Sequence, residues 1–216
     1  MKRKILFIFL CVFVLVGLTS CLDSVQAISY DNGQYYWYFK LTVSKMLMEI
    51  AGEDPESFFE GFDEEELGDL PDFVSLNKID SDLELGFEIT AYLDPNSKDE
   101  DVIFILPKEN EYEYYIPFFV GYSNMFNSVY TSDDSEKEIA QAMLSSAKCR
   151  VMVGKNIIPY AEGAYIPAWD DSWYGEDYKM SVYDYGDSYC VEVPCLILLE
   201  SDEYDLSRIV FVKETL

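Results

Sequence analysis

The side chains best equipped for chemistry lie between Tyr160 and Tyr178. This stretch has little regular periodicity and holds Pro167, Trp169, Asp170, Asp171, Trp173, Tyr174, Glu176 and Asp177. Aromatic rings beside carboxylates suit carbohydrate recognition, because the rings cover the C–H faces of a sugar while the acids accept hydrogen bonds from its hydroxyls. The same residue types dominate the hot spots of protein contacts, and such a loop can also simply close the edge of a core. Trp169, Asp170, Asp171, Trp173 and Tyr174 are the candidate ligand-binding residues. A hydrolytic reading pairs Asp171 with Glu176 as acid and base or nucleophile, which glycosidases hold roughly 5–9.5 Å apart. In a chain with 41 acidic residues some such pair arises by chance, so no catalytic residue is assigned.

Elsewhere the chemistry is thin. The absence of histidine removes Ser-His-Asp and Cys-His catalysis, HExxH metal sites and histidine proton shuttles. Ser145 and Lys148 have Ser-x-x-Lys spacing but lack the motifs that accompany it in hydrolases. Asp94 to Asp101 is acid-rich like a calcium loop, yet Lys98 takes a ligand place, Asp99 stands where glycine is needed, and Ile105 occupies the twelfth position. It reads as a hairpin loop, and the acidic run from Glu60 to Glu66 reads as a solvated face, so no metal or cofactor is expected.

Cys149, Cys190 and Cys195 are disulfide candidates. In one extended segment Cys190 and Cys195 would stand ~16 Å apart, beyond the ~7 Å reach of a bridge. If a bridge forms, Cys149 with either of them is the pairing the spacing favours, but three buried free thiols are the reading preferred over any bridge.

The elements that must position these groups are mostly strands. Asp31-Asn32-Gly33 separates Ser24–Tyr30 from Gln34–Val43, and Asn-Gly supplies the positive φ of a tight hairpin. Tyr35, Trp37, Phe39, Leu41 and Val43 share one face at period two. Ser44 caps a short helix, Lys45–Ala51, and Pro55 opens another in which Phe58, Phe59 and Phe62 face the sheet. Asp82–Leu93 alternates Leu83, Leu85, Phe87, Ile89, Ala91 and Leu93 with polar residues. Val102–Leu106, Tyr112–Val120, Cys149–Val153, Tyr178–Tyr183, Tyr189–Leu199 and Arg208–Lys213 read as further strands. The runs Leu196–Leu199 and Ile209–Val212 have the continuous apolar character of central ones. Ser135–Lys148, opened by a Ser135/Glu138 capping box, reads as the main helix packed on the sheet. The expected fold class is therefore α+β: a mostly antiparallel sheet, one main packed helix and short additional helices.

The N-terminus has a different character. Lys2, Arg3 and Lys4 precede the uncharged run Ile5–Leu18, followed by Thr19, Ser20 and Cys21. This is the order of a secretory signal. As a helix the run would span about 21 Å, short of a bilayer's roughly 30 Å of hydrocarbon. Leu18-Thr19-Ser20-Cys21 resembles the lipobox of bacterial lipoproteins. The resemblance covers about the first tenth of the chain and implies cleavage before Cys21, with the thiol carrying lipid. Residues 1–20 are then a signal peptide and residues 21–216 one acidic domain, anchored on the extracytoplasmic side of a bacterial envelope, facing the periplasm or the cell surface.

Without residues 1–20 the chain keeps 12 basic and 41 acidic residues, a net charge of −29. A surface so charged repels phosphate backbones and anionic headgroups. No nucleic-acid partner is expected, and membrane attachment falls to the acylated cysteine. The resulting expectation is a lipid-anchored envelope binding or structural module with a protein or glycan partner, its alternative a carbohydrate-binding or carbohydrate-active surface hydrolase.

Overall fold

A computed structural model describes residues 22–51, 73–118, 145, 147–169, 176–199 and 203–213. In chain order its strands are β1 (Leu22–Asp31), β2 (Gln34–Ser44), β3 (Val74–Asp80), β4 (Glu84–Leu93), β5 (Lys108–Glu109) and β6 (Glu113–Pro117). They continue with β7 (Lys148–Gly154), β8 (Gly163–Ile166), β9 (Tyr178–Met180), β10 (Tyr183–Asp184), β11 (Ser188–Pro194) and β12 (Arg208–Val212). A seven-stranded sheet has the order β10-β11-β7-β1-β2-β4-β3, and a five-stranded sheet the order β5-β6-β12-β8-β9. β7 runs parallel to β1, and the other described pairs are antiparallel.

The first hairpin forms as its turn residues dictate: Asn32 and Gly33 adopt φ of 51° and 86°, the two positive values a two-residue turn needs. Trp37, Phe39 and Leu41 are buried from the face the alternation assigned to the core, while Tyr35 and Val43 at its two ends are partly covered. Lys45–Ala51 (α1) is the short helix expected after Ser44.

The α+β expectation, with a main helix on one sheet, is overturned. The described residues are mostly β, and the two sheets cover each other. One apolar cluster joins Ile28, Phe39 and Val151 of the larger sheet to Ile116, Ile166, Ile209 and Phe211 of the smaller. Each such side chain contributes about 1.5–3 kcal/mol on burial. Gln26, fully buried on β1, donates from Nε2 to the Pro117 carbonyl 2.5 Å away on the opposite sheet.

Of the expected helix 135–148 the structure describes residues 145, 147 and 148, and the strand expected at Cys149–Val153 begins within its last turn. Ala147, Cys149, Val151 and Val153 point inward, and Lys148, the expected helix end, opens β7. Residues 135–144 and 146, and with them most of the expected helix, lie outside the described residues, as do Phe58, Phe59, Phe62, the acidic run 60–66 and residues 1–21. Among the described residues no helix is long and apolar enough to cross a membrane.

Three further readings change. Val102–Leu106 is not a strand: Asp99 sits before helix α2 (Glu100–Phe104), its carbonyl taking the Ile103 N–H at 3.0 Å, so the preceding loop joins a strand to a helix. The run Leu196–Leu199 is not a central strand, because Pro194 ends the ladder and Cys195–Leu199 winds into a 3-10 helix. Tyr178–Tyr183 is two strands, β9 in one sheet and β10 in the other. Ile209–Val212 does lie centrally, in β12 between β6 and β8.

Candidate functional site

Of the ligand-binding candidates the structure describes Trp169. Asp170, Asp171, Trp173, Tyr174 and the lipidation candidate Cys21 lie outside the described residues. Trp169 exposes 45 % of its surface, and its backbone N–H donates to the Glu203 carbonyl at 3.1 Å. Ala168 bridges to Tyr204 and donates its N–H to Asp177 Oδ1 at 3.1 Å. Asp205 donates its N–H to the Pro167 carbonyl at 2.8 Å, and the Tyr178 and Tyr204 rings meet edge to face, centroids 6.0 Å apart. Asp177 thus fastens the base of its own loop. Glu176, named as one of a hydrolytic pair, is exposed, and its partner Asp171 lies outside the described residues.

The three thiols are buried and form no disulfide. Pleating sets Cys149, opposite Val193, on the core face, and Cys190, opposite Met152, on the other face near Arg150 and Glu192. A bond between Cys149 and Cys190 would have to cross the sheet. Cys195 follows Pro194 and donates its N–H to the Ala147 carbonyl at 2.9 Å. Burial, reinforced by the neighbouring Cys149, pushes its thiol up to about 12. A thiol so protonated is no nucleophile at neutral pH. Lys148, of the Ser-x-x-Lys pair, extends to Glu192 Oε2 at 2.5 Å.

A different set of rings converges at the far end of the β1–β2 hairpin. Tyr30 and Tyr35 are register partners beside the turn, their rings tilted by 58° with centroids 4.9 Å apart. With Tyr114, Glu109, Lys108 and Asn156 they line a cavity of about 220 Å³ where the two sheets meet. A neighbouring cavity of about 450 Å³ is lined by Tyr112, Tyr114, Tyr160, Glu111 and Lys213. Tyr114 is common to both, so the two adjoin at its ring and together make up the tyrosine cleft referred to below. A third cavity of about 300 Å³ shares Lys108 and Glu109 with the first and includes Arg208, which lies over the Tyr115 ring. Small-molecule sites commonly enclose roughly 300–1,000 Å³.

The cleft is held from several sides. Asn156 donates from Nδ2 to the Tyr30 carbonyl and accepts the Tyr30 N–H at 3.4 Å, which fixes the strand end carrying that ring. Lys213 sits 4.3 Å from the centre of the Tyr114 ring, 3.2 Å from Glu109 Oε2, and donates to the Asn110 carbonyl. Tyr160 donates its hydroxyl to Glu162 at 2.6 Å. Burial, then the neighbouring Tyr30 and Glu109, raises the Tyr35 phenol above its ordinary value, so it keeps its proton as a donor.

The rings offer apolar faces, and the acids, the amide and the lysines offer hydrogen bonds at their edges. That equips the cleft for binding. Sequence reading missed it because Tyr30, Tyr35, Tyr112 and Tyr114 lie on or beside strands, where each looks like an ordinary sheet residue. The available signal was the number of tyrosines, 18 in the chain.

Glu113 is a strongly engaged carboxylate. On β6 it accepts hydrogen bonds from the Tyr115 and Tyr165 hydroxyls, each at 2.6 Å, and from Asn110 at 3.3 Å. The two phenols hold its carboxyl below the usual range, while burial and then Glu113 push the Tyr165 phenol up. Because β12 lies between β6 and β8, this bond ties the two flanking strands across it. A carboxylate kept ionised by donors has no proton to give, so Glu113 is not a general acid. No protein-family model matches the chain, and no curated protein or solved structure matches it either.

Proposed function

We propose that the chain is a lipid-anchored binding module of a bacterial cell envelope that holds a neutral glycan in the tyrosine-lined cleft. The observation that carries the binding half is the convergence of Tyr30, Tyr35, Tyr112, Tyr114 and Tyr160 on cavities edged by Glu109, Glu111 and Asn156. Rings stack on the apolar faces of a sugar, while carboxylates and an amide take its hydroxyls. The net charge of −29 disfavours acidic polymers and leaves neutral or amino sugars as the fitting class. The anchoring half is supported by the lipobox-like Leu18-Thr19-Ser20-Cys21 and by the start of β1 at Leu22, the residue after the cysteine. A domain so close to its lipid works at the envelope.

The test is retention on immobilised neutral and amino-sugar polysaccharides. Wild type is expected to bind, and Tyr112→Ala with Tyr160→Ala to lose about tenfold in affinity, or ~1.4 kcal/mol, with an unchanged circular dichroism spectrum. Both rings are exposed, so their removal leaves the core intact. Loss on Trp169→Ala instead would move the contact to the loop after β8, and no retention by the wild type would reject the glycan.

A further inference from the structure

We infer that the end of the larger sheet next to Cys21 rests on the bilayer itself, with Met46 and Leu83 entering the lipid interface, so that the tyrosine cleft is held facing away from the membrane. This rests on the anchor reading above and adds an orientation to it.

The register places these residues together. Leu22, first residue of β1, pairs with Val43 near the end of β2. Ser44 pairs with Glu84, where β4 begins. Lys45 donates its N–H to the Leu83 carbonyl at 2.9 Å, which sets Leu83 beside the start of α1 and its second residue, Met46.

Both apolar side chains stand in solvent, Leu83 with 76 % and Met46 with 51 % of its surface exposed. The exposure of Leu83 is built in. Alternation along the strand would turn it to the core, yet Ser81 Oγ accepts the N–H groups of both Leu83 and Glu84, at 3.3 and 3.0 Å, and holds Leu83 in a turn.

The occupant follows from the chain that ends here. On the anchor reading the mature chain starts at Cys21, which directly precedes Leu22, so acyl chains on that thiol bring hydrocarbon to this end of the sheet. An apolar side chain at the interface adds to a lipid anchor by burying more non-polar surface.

The charges fit a zwitterionic surface. Lys45 pairs with Asp80 at 2.6 Å and Lys148 with Glu192 at 2.5 Å, while Asp82 and Glu84 flank Leu83 and would oppose anionic headgroups. From Leu22 to Tyr30 the strand rises about 27 Å at ~3.4 Å per residue, which carries the cleft well clear of the headgroups.

The test uses the full acylated chain in phosphatidylcholine vesicles. A fluorophore is placed on Leu83→Cys, on Met46→Cys or, as a distal control, on Tyr185→Cys; Cys149, Cys190 and Cys195 are buried and so shielded from the label. Tyr185 is exposed at the opposite end of the sheet, in the turn before β11. Spin-labelled lipid should extinguish emission from positions 46 and 83 and spare position 185, with iodide in the water giving the reverse pattern. Vesicle flotation with positions 46 and 83 still open to iodide would overturn the orientation and leave the anchor standing. Failure of the wild type to float would remove both.

Discussion

Glu113 carries its charge among hydrogen-bond donors, and its effect on stability follows from the protonation state those donors favour. Its folded carboxyl titrates below its ordinary value of 4.5. Such a group stabilises the fold above the unfolded pKa, and the contribution is lost as pH falls through the folded one. Glu113→Gln should therefore cost about 1 kcal/mol at neutral pH, a bond to a charged group discounted for its partial exposure. The gap between variant and wild type should close as urea denaturation is repeated at pH values falling below 4.5. A gap that stays constant with pH would reject the charged role. At this scale the sequence told which side chains were chemically capable, and the rings it favoured, Trp169 and Trp173, were chosen because they sit among acids in one loop. The cleft tyrosines come from positions 30, 35, 112, 114 and 160, and their meeting depends on strand pairing that local spacing does not record.

The hairpin and β4 were legible as elements because their signals are local: a turn dipeptide and a strict alternation. Gly86 shows what such a pattern hides. It faces Thr42 across the β2–β4 ladder, and a Cβ there would overlap the Leu41 carbonyl oxygen and lie 2.8 Å from Thr42 Cα. Gly86→Ala should lose about 3 kcal/mol, whereas Gly33→Ala should lose about 1–2 kcal/mol from its positive φ alone, since no atom lies within 4 Å of a Cβ at Gly33. Urea unfolding of the two variants checks the order, and equal losses would mean that the β2 backbone yields at Gly86. Where elements were misread, a competing local signal prevailed. Asp99 before Glu100 starts a helix within an apolar run, and Pro194 stops a strand in front of Leu196–Leu199.

For the whole molecule, the anchor reading predicts that a fatty-acid analogue supplied during growth labels the wild type and leaves Cys21→Ala unlabelled. Label persisting in the variant would defeat it. Alone, the sequence determined the acidity, the missing histidine chemistry, the first hairpin and the alternation of β4. All of these depend on composition or on residues a few positions apart. Tertiary structure decided that a second sheet, made of short strands scattered from Lys108 to Val212, covers the first. An apolar inner face looks the same in sequence whether a helix or another sheet lies on it. It also decided where the tyrosines meet and that Leu83 stands in solvent, because both depend on which strand ends lie side by side.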